Sequence, residues 1–280
     1  MVHGDHWGAV FDIDEPVLVE LIAELLNKGK LTGKGGSKFP SHPGMPMEGP
    51  FALAWPETPL RFLALCIPRP DKTNSAEYHN GFPFCAEGVE VELRIEDVRP
   101  EPDDSVEGCI TGYSESMSWI LAFYDPLFLF CRDEYAKGQS FRFSVAALAL
   151  TIREAEETAI EITQGGMLEM ERQRLLRENP LADVESVKSV TIYVPADASI
   201  LLPINDTPEW SEYRGPVTRI EEFELLGERM LRLWTKVISG ENRELTIPVY
   251  ASRLRLGDYQ PAVGDSITGV AWLQGYALDA

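Results

Sequence analysis

Two stretches of the chain share one order of strands, tyrosines and glycine turns, and this internal repeat constrains the fold more than any other feature. The stretches are residues 122–150 and residues 248–278. Each has a strand pattern, an irregular apolar segment, a glycine turn and then a long apolar strand. Each also has one tyrosine near the end of its first strand and one before its glycine turn, which are Tyr124 and Tyr135 in the first stretch and Tyr250 and Tyr259 in the second. The repeat, which needs small gaps, predicts two related β-units in one chain.

The second half of each stretch resembles the closing strands of a small OB-like barrel. In the segment Tyr259 to Gly269, the pattern Y-x-P-x-V-G-D-x-I-x-G indicates a loop, a tight turn and a strand. The two stretches together are also similar to an uncharacterised bacterial protein family with barrel-like domains. That similarity rests on FYDPLF followed by AALA, and on the segment WLQGY near the end. The resemblance implies β-barrel domains in the last two-thirds of the chain, and it implies no activity.

Outside the repeat, the clearest element is a helix. Residues 16–28, PVLVELIAELLNK, place apolar side chains at helical spacing, and Gly29 follows as a typical end signal. Residues 29–50 are rich in glycine and proline and predict a long loop or lid. Residues 153–190 turn polar and predict a mainly helical segment.

These patterns predict an α+β fold that is mostly β. It has one or two OB-like barrels, an N-terminal helix and a helical linking segment. The predicted divisions are an N-terminal helix with loop and strands at 1–87, a first OB-like β-unit at 88–152, an acidic helical and extended connector at 153–216, and a second OB-like β-unit at 217–280.

The charge of the chain constrains its partners. Its 280 residues include 25 Lys and Arg and 45 Asp and Glu, so the formal net charge is −20. A field of this sign repels phosphate backbones and anionic lipid, and it attracts basic protein surfaces. The sequence therefore predicts a basic protein partner, and it disfavours nucleic acid and membrane surfaces without excluding a local basic patch.

Cysteine usage and the absence of targeting patterns indicate the compartment. The four cysteines are widely spaced, which predicts ordinary buried thiols and not a disulfide framework. The first residues, MVHGDHWGAV, show no signal-peptide pattern, and no apolar run is long enough to span a bilayer. We expect a cytoplasmic protein.

The opening segment GAVFDIDEPVL resembles the start of haloacid dehalogenase-like phosphotransferases. The resemblance implies that Asp12 would act as nucleophile and Asp14 as acid or base, with bound magnesium. That fold also needs alternating strands and helices, a later Lys and a later acidic pair, and the chain shows no such alternation. In the competing interpretation, Asp14 caps the helix and Asp12 is solvated.

A second candidate site is a basic loop. Lys30, Lys34 and Lys38 alternate with glycines, and such a backbone can cradle a phosphate. The spacing departs from the Walker pattern, however, because only three residues separate Gly29 from the pair Gly33-Lys34 and no Ser or Thr follows. A solvated loop is the competing interpretation.

A third candidate site is aromatic. The rings of Tyr250, Tyr259, Trp272 and Tyr276 would form a stacking platform if they lie on one face of an OB-like barrel. The alternative is that they fill the core or the rim of the barrel.

The functional prediction follows mainly from what the sequence lacks. No catalytic constellation is complete, no cofactor motif is present, and the histidines near the start of the chain are not taken as a metal site. The sequence thus predicts a binding or interaction protein that is not an enzyme and engages a protein partner without a metal or cofactor. The alternatives are single-stranded nucleic-acid binding through the barrel aromatics, and a magnesium-dependent phosphotransferase that uses Asp12 and Asp14.

Overall fold

A computed structural model describes most of the chain. The described residues are 3–12, 15–34, 49–69, 75–101, 104–115, 118–163, 166–179, 181, 183–204, 207–240 and 243–278. Asp14 and Lys38, which the sequence singled out, lie outside them.

The first half of the chain contains two sets of four strands. A 3-10 helix and helix α1 come first, at His3–Ala9 and Glu15–Lys28. Strands β1 to β4 follow at Lys30–Lys34, Phe51–Trp55, Leu60–Pro68 and Ala76–Cys85. Strands β5 to β7, helix α2 and strand β8 are Val89–Glu101, Asp104–Ser114, Trp119–Asp125, Phe128–Cys131 and Ser140–Glu154.

The second half begins with a connector and ends with four long strands. The connector contains β9, α3, a short 3-10 helix, β10 and β11, at Thr158–Ile162, Gly166–Glu178, Val184–Ser186, Val190–Val194 and Ile200–Ile204. Strands β12, β13 and β14, helix α4 and strand β15 are Thr207–Leu225, Glu228–Gly240, Arg243–Ser252, Arg253–Leu256 and Ser266–Ala277. The fold is therefore mostly β, as the sequence predicts.

Helix α1 forms where the apolar periodicity predicts it. Leu21 and Leu25 are buried on the face that packs against β2 and β3. The helix ends at Gly29, whose N–H donates to the Leu25 carbonyl at 2.8 Å. A Cβ at this position would lie 2.5 Å from that same carbonyl oxygen, so the close approach requires glycine.

The described strands form a small sheet, a large sheet and a two-stranded ribbon of β9 and β10. Strands β1 to β4 pair in chain order as an antiparallel sheet. The large sheet has nine strands in the order β11-β12-β13-β14-β8-β15-β7-β6-β5, and the extra pairings β12–β15 and β8–β5 close it into rings.

Two rings of five strands share strands β8 and β15. The first ring runs β5-β6-β7-β15-β8 and closes through the β8–β5 pairing, and the second runs β12-β13-β14-β8-β15 and closes through β12–β15. Each ring contains one parallel contact, β7–β15 in the first and β14–β8 in the second, and its other pairings are antiparallel. The same pairing pattern thus occurs twice. The predicted domain boundaries themselves remain a prediction.

Strand alternation divides the core into two layers. On β8, Phe143, Val145 and Ala147 belong to the apolar cluster inside the rings. The intervening Ala146 and Leu148 belong to a second cluster, between the rings, the small sheet and α1. Successive side chains of a strand point to opposite faces, so one strand contributes to both layers.

Two local predictions were wrong. Residues 30–34, predicted as part of a loop, form strand β1, because they pair with β2. Within the segment predicted as mainly helical, β9 pairs with β10 as an antiparallel ribbon, and the described helical residues are those of α3 and the short 3-10 helix. The sequence TAIEI of β9 contains β-branched residues at every second position, Thr158, Ile160 and Ile162, and these favour a strand when a partner is in register.

Among the described helices, none has the length and apolar character needed to cross a bilayer.

Candidate functional site

The main candidate site is a groove where the N-terminal segment meets the β12–β13 turn and helix α4. Its volume is about 350 Å³. We call it the hairpin groove, and it is lined by Val10, Phe11, Asp12, Val17, Leu21, Leu226, Glu228 and Leu254. Six of these eight side chains are apolar and two are carboxylates, so the groove offers an apolar surface with negative charge.

The walls of the groove come from segments that are far apart in sequence. Ser252, just before α4, donates its hydroxyl to the Ala9 carbonyl at 3.2 Å. The Arg255 guanidinium donates to the Gly8 carbonyl. These bonds hold the end of the 3-10 helix against α4. Val17 and Leu254 remain 53% and 47% exposed, so two large apolar side chains face solvent across the groove.

Leu226 is the least expected residue of the groove. It occupies the β12–β13 turn with a φ of 53°, and Gly227 follows with a φ of 89°. The flanking Leu225 and Glu228 pair directly, so the turn has two residues, both in left-handed conformation. Such turns favour Asn-Gly, and a leucine there carries a cost of about 1 kcal/mol. The chain nevertheless places a leucine there, and it is 39% exposed.

The two carboxylates of the groove have no cationic partner among the described residues. Asp12 is exposed, and neither it nor Glu228 forms an ion pair there. The nearby arginines are already engaged. Arg229 binds Glu222 at 2.6 Å, Arg253 donates to the Tyr259 carbonyl at 3.3 Å, and Arg255 is held by Gly8. Within the described residues, neither groove carboxylate is therefore paired with an arginine.

A second group of polar side chains is buried between the small sheet and the rings. The Glu107 carboxylate accepts hydrogen bonds from the Tyr124 hydroxyl at 3.0 Å and from the Asn80 amide. The Glu209 carboxylate accepts one from the Cys109 thiol at 3.6 Å. These bonds join β4, β6, β7 and β12, so the group acts as a polar bridge between layers. None of its members lines the hairpin groove.

Asp125 is buried at the end of β7. Its carboxylate accepts hydrogen bonds from the Tyr135 hydroxyl at 2.5 Å and from the Leu127 N–H at 2.8 Å. Burial raises the pKa of Asp125 to about 7, although both hydrogen bonds act in the opposite direction. The residue ties the segment that contains α2 to the strand before it, which is a structural role.

The structure does not bring the four predicted aromatic residues onto one open face. Trp272 and Tyr250 are fully buried in the core between the sheet layers, and Tyr276 packs against that core. Tyr259 packs against the other core, inside the rings. The hydroxyls of Tyr250 and Tyr276 donate to the carbonyls of Glu87 and Ala86 at 2.6 and 2.7 Å. The four aromatic side chains fill space here, and their role in binding remains a prediction.

The other predicted site residues are only partly described. Lys30 forms an ion pair with Glu57 at 2.7 Å at the start of β1, which leaves it less available to a phosphate. Lys34 is the last residue of β1, and its side chain is outside the described part. Asp12 lies in the hairpin groove, whereas Asp14 is not described, so the phosphotransferase alternative stays untested.

Most residues of the groove were not predicted from the sequence. Asp12 was predicted as a candidate site residue, but Leu226, Glu228 and Leu254 were not. A signal was present, however. A leucine precedes glycine between two strand patterns, in the segment ELLGER, where Asn or Asp is the usual residue.

Comparisons of the chain with protein-family models, with curated proteins and with solved structures find no match.

Proposed function

We propose that the protein is an interaction protein whose hairpin groove binds an amphipathic, basic segment of a partner protein. An apolar side chain of the partner fills the space between Val17, Leu226 and Leu254. Lysine or arginine side chains of the same segment approach Asp12 and Glu228. The observation that carries the proposal is Leu226, an exposed leucine held in a left-handed turn at the edge of the groove. Residues that break a local rule in this way concentrate at functional sites.

Charge supports the choice of partner. The whole chain has a formal net charge of −20. This total includes the two carboxylates of the groove, which have no cationic partner among the described residues. A field of this sign speeds the approach of a basic partner, and local pairing then selects the orientation. The four free, buried cysteines fit a reducing compartment, and we place this interaction in the cytoplasm.

As part of this proposal, each ring is an OB-like barrel whose fifth strand comes from the other unit. Support comes from the pairing pattern, in which three consecutive antiparallel strands are followed by a short helix and a closing strand. The first ring has this order in β5, β6, β7, α2 and β8, and the second has it in β12, β13, β14, α4 and β15. The barrels then serve as the rigid frame that positions the β12–β13 turn.

The test is a binding titration with a model peptide. The probe is a fluorescent peptide with leucines and lysines at helical spacing. Its binding is measured by fluorescence anisotropy at low salt. We expect binding that Leu254→Ser weakens about tenfold, because an exposed leucine gains roughly 1–2 kcal/mol on burial. We expect Asp12→Asn combined with Glu228→Gln to weaken binding about fivefold and to reduce its salt dependence.

Matched variants separate the groove from the overall charge. Val263 is 64% exposed and lies outside the groove, so Val263→Ser should leave binding unchanged. Glu92→Gln combined with Asp197→Asn removes the same charge elsewhere on the surface and should have little effect. Equal weakening by the two charge pairs would contradict the proposal, since it would show attraction without a site.

A further inference from the structure

A second concave site lies on the outer face of the second ring, beneath the connector. Its volume is about 330 Å³. We call it the connector cleft, and it is lined by Thr151, Arg153, Thr158, Val194, Ile200, Leu202, Glu212, Tyr213, Arg214, Thr268, Gly269 and Val270. None of these residues is among the site residues predicted from the sequence, and the cleft shares no residue with the hairpin groove.

Strand register arranges the polar side chains of the cleft in two rows. Thr268 of β15 lies opposite Arg153 of β8 on one side and opposite Arg214 of β12 on the other. Directly opposed residues in antiparallel strands have Cβ atoms about 5 Å apart, so two arginines flank one threonine hydroxyl. In the next row, Val270 separates Thr151 from Glu212.

The inward neighbours of these residues show which face the rows occupy. Ile152, Tyr213 and Ile267 belong to the apolar core inside the rings. Side chains alternate along a strand, so the residues on either side of them point outward, towards the connector. The two rows therefore form the floor of the cleft.

Within the described residues, Arg214 is a buried cation without a carboxylate partner. Only 8% of the residue is exposed. Its Nη1 donates to the carbonyls of Glu156 and Pro195 at 2.9 and 3.1 Å, and its Nη2 donates to the Thr158 hydroxyl at 3.0 Å. All three acceptors are neutral. A buried charge that is satisfied only by neutral acceptors favours a nearby anion.

Arg153 provides a second guanidinium at the same site. It is exposed, and it forms no ion pair within the part of the chain that the structure describes. Arginine presents planar donors that match a carboxylate in a two-point geometry. Together, Arg153 and Arg214 offer one anion two guanidinium groups on either side of the Thr268 hydroxyl.

The other residues that line the cleft indicate which class of anion it would bind. Glu212 reduces the charge of the cleft to a net +1, which suits a monoanion and disfavours a dianion such as phosphate. Val194, Ile200, Leu202 and Val270 give the cleft an apolar wall. Apolar walls with a few converging polar groups are typical of small-molecule sites.

We propose that the connector cleft binds a small monocarboxylic acid with an apolar body. The carboxylate lies between Arg153 and Arg214, and the apolar body lies against the connector. This proposal is independent of the hairpin groove, because the two sites share no residue and call for ligands of opposite charge.

The test uses sodium hexanoate as the probe, with hexanamide and inorganic phosphate as comparison compounds. Binding is followed by NMR chemical-shift changes in the full chain. We expect hexanoate to bind with a dissociation constant of about 1 mM or tighter. The largest shifts should fall on the amides of Thr151, Thr268 and Val270. Hexanamide and phosphate should bind at least about tenfold more weakly.

Substitutions then assign the contacts. Arg153 is exposed, so Arg153→Gln should leave the fold intact and weaken hexanoate binding about tenfold. Arg99 is an exposed arginine on β5, and Arg99→Gln should leave binding unchanged. Glu212→Gln should strengthen phosphate binding, because it removes the negative charge that opposes a dianion.

Several results would overturn the proposal. They are equal binding of hexanoate and hexanamide, unchanged binding in Arg153→Gln, and shifts that fall outside the cleft. An absence of hexanoate binding at concentrations about tenfold above 1 mM would do the same.

Discussion

At the scale of single residues, Asp125 makes the clearest link between structure and pH. The carboxyl is fully buried, and burial raises its pKa from 3.8 to about 7. Between these two values, the folded protein holds a proton that the unfolded chain has released. Unfolding then releases a proton, so this residue makes stability fall as pH rises from about 4 to about 7.

The first prediction therefore concerns Asp125→Asn, which keeps the shape of the side chain and removes its titration. We expect the difference in the free energy of unfolding, native protein minus variant, to decrease as the pH rises from 4 to 7. The total change should be of the order of 4 kcal/mol, since one pKa unit corresponds to about 1.4 kcal/mol. Urea unfolding at a series of pH values gives this difference directly.

A matched variant tests whether burial is the cause. Asp133 lies in the same segment and its side chain is 95% exposed. The difference between the native protein and Asp133→Asn should stay nearly constant over the same pH range. A constant difference for Asp125→Asn as well would mean that the carboxyl is not buried in solution.

At the scale of elements, the β12–β13 turn decides where the hairpin groove has its edge. Gly227 has a φ of 89°, and a Cβ at that position would meet no atom within 4 Å. The cost of adding a methyl group is therefore one of backbone conformation alone. We predict that Gly227→Ala lowers the free energy of unfolding by about 1 kcal/mol, and that Gly227→Asn lowers it by less.

Two other glycines serve as controls for this prediction. Gly138 has the same φ of 89° and the same open space around it, so Gly138→Ala should cost a similar amount. Gly8 has no positive φ, and its added Cβ would meet only an arginine nitrogen at 3.7 Å, so Gly8→Ala should change stability little. The free energies of unfolding of the three glycine variants are compared by chemical denaturation. Equal stability of Gly227→Ala and the native protein would argue against a left-handed turn.

At the scale of the whole molecule, the shared strands make the two rings dependent on each other. Strand β8 belongs to the first ring, but it also closes the second ring through its pairings with β14 and β15. A fragment of residues 207–278 contains β12 to β15 and lacks β8. Its ring would stay open, and the edges of β14 and β15 would be unpaired.

We predict that this fragment is unfolded by itself and that the complete chain unfolds in one transition across both rings. Circular dichroism and amide chemical-shift dispersion report the state of the fragment. Joining residues 140–154 to it through a flexible linker restores the missing strand and should restore dispersion. A fragment that folds without this addition would show that the second ring does not need β8.

The local part of the fold could be predicted from the sequence. Helix α1 lies within a residue of where the pattern places it, because helical periodicity is a property of neighbouring residues. The site was predicted less well. Asp12 was noted for a resemblance to an enzyme, but the groove that contains it depends on Leu226 and Leu254, which are more than two hundred positions away.

The sequence by itself determined the β-rich character, the first helix and the acidic charge, and it predicted the repeat between residues 122–150 and 248–278. Only the tertiary structure decided that the two rings share β8 and β15, and that Tyr250 and Trp272 are buried while Tyr259 and Tyr276 are partly buried against the two cores. The reason is physical. Local propensity depends on residues a few positions apart, whereas the pairing of Val249 with Ala147 depends on which distant faces exclude water together.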